Sequence, residues 1–121
     1  MFSFTKEMRL SHKSDISRVF KKGRAFRFRD ERLFVIPNGM NLNRFLCTFK
    51  RGFGRAVHRN RVRRFSREIY RCEKIFLKKG FDIVFLPSRY DYSFYIWKST
   101  INSLFKIAGL MADPVESCIK D

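Results

Sequence analysis

KRGFGRAVHRNRVRRFSREIYR, residues 50–71, is the stretch on which the reading of the fold turns. Nine of its 22 residues are Lys or Arg (50, 51, 55, 59, 61, 63, 64, 67 and 71), opposed within it by Glu68 alone. Val62, Phe65, Ile69, Cys72 and Phe76 are spaced 3, 4, 3 and 4 apart, which predicts an amphipathic helix from about Arg55 to Leu77. At about 100° per residue, Asn60, Arg63, Arg64, Arg67 and Arg71 gather opposite that stripe, with Arg59 and Arg61 flanking it. One face is therefore core and the other almost entirely guanidinium. Charge so concentrated stays in water. It also repels itself unless a polyanion neutralises it, which points to a phosphate backbone.

Working outward, Ser14 to Gly23 predicts a short helix, with Ser14 as N-cap, Ile16, Val19 and Phe20 on one face and Gly23 as C-cap. Arg24 to Arg32 reads as a basic connector with Phe26 and Phe28 interleaved. Leu33–Ile36 is a strand stopped by the turn Pro37-Asn38-Gly39, and Arg44–Phe49 a second strand that pairs with it as a hairpin. Beyond the basic helix, closed by Lys78-Lys79-Gly80, the apolar run Phe81–Leu86 predicts a central strand. Asp91 or Ser93 then caps a last helix carrying Phe94, Trp97, Ile101, Leu104, Phe105 and Ala108 on one side. The helix between Phe45 and Leu86 makes its two flanking strands parallel. The fold class is α+β, a small mixed sheet with helices.

At 121 residues the chain is long enough for one domain, 1–121, with 1–9 and 112–121 expected to be loose. Lys plus Arg less Asp plus Glu is 27 − 11 = +16, and 45% of residues are hydrophobic, so the chain folds and seeks an anionic partner. Cys47, Cys72 and Cys118 form no C-x-x-C pair, and neither His12 nor His58 stands at metal-ligand spacing from them. No metal site on the protein is expected. Widely spaced thiols and a polar N-terminus predict a soluble cytoplasmic protein, and no apolar run is long enough for a bilayer, so no membrane partner is expected.

Arginine outnumbers lysine on the basic helix, and a guanidinium fork grips phosphate oxygens bidentately where an ammonium is a point charge. Gly52 and Gly54, just before the helix, leave amides and the positive helix end open to an anion. Asp15, Asp30, Glu31, Asp82 and Asp91 form no pair at helical spacing, and His12 and His58 have no acid or nucleophile partner in sequence. A protein-only nuclease would need such groups. No catalytic residue and no small-molecule substrate are expected.

These residues resemble a known family. Gly54-x-Ala56-Val57-x-Arg59-Asn60-Arg61-x-x-Arg64-x-x-Arg67-Glu68 is similar to the R-N-R signature of the bacterial ribonuclease P protein subunit. Ser14-Asp15-Ile16-x-x-Val19-Phe20-x-x-Gly23 resembles its first helix, and Phe81-Asp82-Ile83-Val84 its D-x-V strand, so the likeness spans about residues 10–108. The resemblance implies the order α-β-β-β-α-β-α with a left-handed βαβ crossover. It implies that the ribonuclease P RNA subunit, using Mg²⁺ held mainly by RNA, removes the 5′ leader of precursor tRNA, and that the protein is an accessory subunit. It implies RNA-subunit contacts from Lys50, Arg51, Arg55, Arg59, Asn60, Arg61, Arg63, Arg64, Arg67 and Arg71. Leader contacts are implied for Ile16, Phe20, Phe34 and Phe49. Three positions depart from the family pattern: Arg51-Gly52 stands for a paired lysine before glycine, Ile16 for an aromatic, and Pro87-Ser88-Arg89 for Ala-Arg.

The competing reading is a basic ribosomal or other ribonucleoprotein structural protein without a role in cleavage. A DNA-binding helix-turn-helix is disfavoured because strands, not a short turn and a second helix, flank the basic helix.

Overall fold

The computed structural model describes residues 9–51, 53–88 and 93–111. Helix α1 (Lys13–Lys22) leads into strands β1 (Arg24–Phe28), β2 (Glu31–Pro37) and β3 (Arg44–Cys47). Helix α2 (Ala56–Glu73), strand β4 (Phe81–Leu86) and helix α3 (Phe94–Ile107) complete the chain order α-β-β-β-α-β-α. The strands form one sheet in the order β1-β2-β4-β3. β4 is central and buried along nearly its whole length, as its unbroken apolar run requires.

The basic connector expected over residues 24–32 is instead a strand and a tight turn. β1 pairs antiparallel with β2, from Arg24 opposite Val35 to Phe28 opposite Glu31, across the two-residue turn Arg29–Asp30. Arg29 holds the left-handed conformation that a short hairpin demands, at φ 58°. The hairpin expected between β2 and β3 does not form. Pro37-Asn38-Gly39 does turn the chain, but β4 inserts between the two strands, antiparallel to β2 and parallel to β3. The parallel β3-α2-β4 unit stands as expected.

Alternation along the strands splits the interior into two layers. Leu33, Val35, Phe45, Cys47, Ile83 and Phe85 face α2 and α3 in the main core. Val84, with Phe34, Ile36 and Leu46 beside it, faces α1 and joins Leu10, Val19 and Ile16. Helix α1 starts after His12, one residue before the Ser14–Gly23 span, so Ser14 is not its N-cap. Gly23 ends it because the chain enters β1 at once; a Cβ there would stand 2.4 Å from the Val19 carbonyl oxygen.

Helix α2 closes at Glu73 and tightens into a 3₁₀ turn over Lys74–Phe76, short of the expected end. Its buried side is Val62, Ser66, Ile69 and Tyr70 rather than the stripe through Cys72 and Phe76, both of which are more open to solvent. Tyr70 stacks on Phe45 with ring centroids 4.7 Å apart, so the last turns rotate an aromatic into the core. Ser93 caps α3 by accepting from the Ile96 N–H, and Trp97, Ile101, Leu104 and Phe105 are buried as expected. Arg9, expected to be loose, bridges to Phe45 at the β3 edge. The other residues expected to be loose, 1–8 and 112–121, and Gly52, Arg89, Asp91 and Cys118 lie outside the described residues. Among the described residues, no helix is long and apolar enough to cross a membrane.

Candidate nucleic-acid interface

Five of the six arginines of α2 fall in two rows. Arg59, Arg63 and Arg67, four residues apart, run along the flank facing β3, while Asn60, Arg64 and Arg71 point away from the sheet. Arg63, expected opposite the core, lies half-buried instead, its guanidinium 5.0 Å from the centroid of Phe49. That is cation–π distance, and it fixes the direction of the fork. Its Nη1 also donates to Asn60 Oδ1 at 3.3 Å, so the asparagine is held by an arginine rather than left to swing. Arg59 donates to the Gly54 carbonyl at the helix start.

Helix α2 begins after Arg55, with no side-chain cap and no acid in its first turn. Its first amides and positive dipole end are therefore left uncapped, in a segment whose charged residues are Arg55 and Arg59. Beside that end, Thr48, Phe49, Lys50, Arg51, Arg59 and Arg63 line a concavity of about 360 Å³. Lys50, Arg51, Arg55, Arg61 and Arg64 are exposed and form no ion pair among the described residues. Arg71 is different. It grips Glu68, Nε to Oε1 at 3.2 Å, and this hydrogen bond lowers the carboxyl's pKa and raises the guanidinium's.

Among the four residues assigned to leader contact, the fold brings three to the α1 side of the sheet. Phe20, 38% exposed, meets Phe34 edge-on with centroids 4.8 Å apart. Ile16, one turn earlier on the same face of α1, lines a second concavity of about 380 Å³ with Leu46, Cys47 and Arg67. Phe49 is not with them; it packs on the main core with Phe53, centroids 4.6 Å apart, under Arg63. Cys47, in the floor of the second concavity, is shut off from water, and burial pushes its thiol up to about 12.

What holds α1 over the sheet is a buried carboxylate that sequence spacing does not reveal. Asp82 accepts Arg44 Nε at 2.8 Å and Nη2 at 2.7 Å, Asn38 Nδ2 at 3.0 Å and Arg18 Nη2 at 3.4 Å. Arg44 also reaches Asp15 on α1 at 3.3 Å. The hydrogen bonds to Asp82 raise the Arg44 pKa further. Asp15 and Asp82 stand 67 positions apart in sequence, and Arg44 joins them only once β3 lies beside β4. The one signal available in the sequence is an acid, Asp82, inside an otherwise apolar strand. Glu31 plays a similar part at the β1–β2 turn, where it is buried and accepts Ser88 N at 2.8 Å and Oγ at 3.2 Å.

The α+β scaffold thus holds an uncapped, arginine-faced helix on one side of the sheet and a partly open aromatic pair on the other. The sequence signature of the family described as Ribonuclease P matches residues 4–109, and the chain belongs to that family. The ribonuclease P protein component of Petrotoga mobilis is 39% identical over 87 residues, which is 72% of this chain and 74% of that protein. The solved RNase P protein of Thermotoga maritima is 33% identical, with a TM-score of 0.71 over 81% of this chain and 94% of that one. An RNase P protein structure from Staphylococcus aureus, 23% identical, shares the fold with a TM-score of 0.77 over 86% of this chain and 97% of that one.

Proposed function

We propose that this chain is the protein subunit of a ribonuclease P, binding the catalytic RNA through α2 and the 5′ leader of precursor tRNA between α1 and the sheet. The observation that carries the reading is the α2 flank. Arg59 and Arg63 frame an open, uncapped helix end at which backbone amides, dipole and guanidinium groups all favour phosphate. Phe20 and Phe34 offer an incompletely covered aromatic surface on the other side, suited to unpaired bases.

The polypeptide binds and orients; the bond-breaking chemistry belongs to RNA and to the Mg²⁺ it holds. Three acids among the described residues support this division. Asp82, Asp15 and Glu31 are already committed to Arg44, Arg18, Asn38 and Ser88, so their lone pairs serve the fold. Among the described residues no cluster of three His, Cys, Asp or Glu side chains has a metal-binding arrangement.

Mixing the protein with a bacterial ribonuclease P RNA and a precursor tRNA at low magnesium tests the proposal. Stimulated cleavage at the leader junction is expected, with none from RNA-free protein. Salt-sensitive RNA binding without any stimulation would instead identify a structural protein of another ribonucleoprotein.

A further inference from the structure

The β1–β2 hairpin carries four arginines, and they divide by face. Arg24 lies over the Phe26 ring and Arg29 over the Phe28 ring, each 5.3 Å from the centroid. Arg27 and Arg32 have no such partner among the described residues. They stand directly opposite one another across the hairpin, both exposed, and neither forms an ion pair among the described residues. Like charges in directly opposed cross-strand positions repel at close range. The neighbouring Glu31 carboxylate does not relieve them, because it is buried against Ser88.

Their position suits them to a ligand. Arg32 shares the α1-side face with Phe34, two residues on, so the guanidinium pair begins about 7 Å along the strand from the Phe20–Phe34 contact. In register across the sheet, Arg27 and Arg32 are level with Leu86, and the Thr48 N–H, bound to Phe85 O at 3.0 Å, brings Thr48 level with the same row. Thr48 lines the basic concavity of Lys50, Arg51, Arg59 and Arg63. One line perpendicular to the strands thus joins the α2 phosphate site to a second cationic site at the β1 edge. It is three strand spacings wide, about 14 Å, and runs two residues along the strands from Phe34, against which the exposed Phe20 packs.

We propose that Arg27 and Arg32 together hold a backbone phosphate of single-stranded RNA, at the end of the leader path remote from α2. The inference rests on the leader reading above and extends it: the protein clamps the leader at both edges of the sheet, with Phe20 and Phe34 beside the path. A phosphate between the two forks relieves their repulsion and gives them bidentate partners.

The experiment uses the holoenzyme, assembled with ribonuclease P RNA, and precursor tRNAs whose leaders run from a single nucleotide to about ten. For R27Q/R32Q, precursors with long leaders are expected to bind about tenfold more weakly, while the shortest leader and the RNA subunit bind as before. The slope of log affinity against log salt for the long leader should fall by about 0.7 for the phosphate lost. R27K/R32K, which keeps charge but not the fork, should recover the salt slope and only part of the affinity. Equal weakening for all leader lengths, or weakened RNA-subunit binding, overturns the assignment of this pair to the leader. Should the wild type itself show no dependence on leader length, the leader reading fails and the clamp with it. A length-dependent wild type matched by R27Q/R32Q sinks the clamp alone. The two single variants, each expected to lose part of the long-leader affinity, decide the matter if the double variant does not fold.

Discussion

Asp82 is wholly buried, yet its carboxylate is satisfied by donors from Arg44, Arg18 and Asn38. Such a residue contributes little net stability as a pair, because both charges were desolvated to make it, but breaking it leaves an unpaired buried charge. Asp82→Asn should therefore destabilise by about 3–5 kcal/mol in a urea melt, whereas replacing Asp82 and Arg44 together with apolar residues of similar volume should cost far less. A loss under about 1 kcal/mol for the single change would show that the knot does not anchor α1. Cys47 and Tyr70 predict an alkaline limit. Burial raises their pKa values from 9.0 and 10.0 to about 12 each, so both keep their protons in the folded protein while the unfolded chain gives them up. Their contribution is intact below pH 9 and is lost as pH rises toward 12, first through Cys47. Cys47→Ala should flatten the decline just above pH 9; an unchanged pH–stability curve would show that the thiol is not the group responsible.

At the scale of the element, α2 has a core side and an arginine side that mutation should separate. Arg64→Ala and Arg59→Ala should each weaken RNA-subunit binding and reduce its salt slope by about one, with circular dichroism unchanged. Phe65 packs half-buried against Phe94, centroids 5.3 Å apart, so Phe65→Ala should cost about 3 kcal/mol of stability and leave the salt slope alone. A slope that fell with Phe65→Ala but not with Arg64→Ala would reverse the assignment of the two sides. This helix is the most legible part of the chain, since its 3.6-residue period and one-signed charge are local properties of the sequence. The sheet is less so. β1 hides because its turn, Arg29–Asp30, has no glycine or asparagine to announce it, the left-handed residue being an arginine. The β2–β3 hairpin fails for a different reason: a turn at Pro37-Asn38-Gly39 says that the chain reverses, not whether a later strand will fill the gap. β4 fills it because its buried run, apolar on both sides, needs neighbours along both edges. Phe49 parts from Phe20 and Phe34 because period-2 reasoning cannot follow a side chain past the end of β3 at Cys47.

In the molecule as a whole, the two proposed binding surfaces lie on opposite faces of one sheet, α1 on one side and α2 on the other, and they meet along the β3 edge where Ile16 and Arg67 line one concavity. Surfaces so arranged should bind different parts of a ribonucleoprotein nearly independently. Phe20→Ala removes the exposed member of the Phe20–Phe34 pair, and loss of one stacked base corresponds to about 1–3 kcal/mol, or roughly 5- to 150-fold. That loss should fall on precursor tRNA and spare mature tRNA, which has no leader, and RNA-subunit affinity should stay as it was. Because Phe20 is 38% exposed and the buried α1 residue beside it is Val19, the melting temperature should move little. Combined with Arg64→Ala, the two free-energy losses should add within about 0.5 kcal/mol, as expected for distant sites with no shared partner. Equal weakening toward precursor and mature tRNA, accompanied by a lowered melting temperature, would mean that Phe20 is a core residue and that α1 serves only to cover the sheet. A large coupling between the two substitutions would mean instead that the leader and the catalytic RNA compete for one continuous surface running past Ile16 and Arg67.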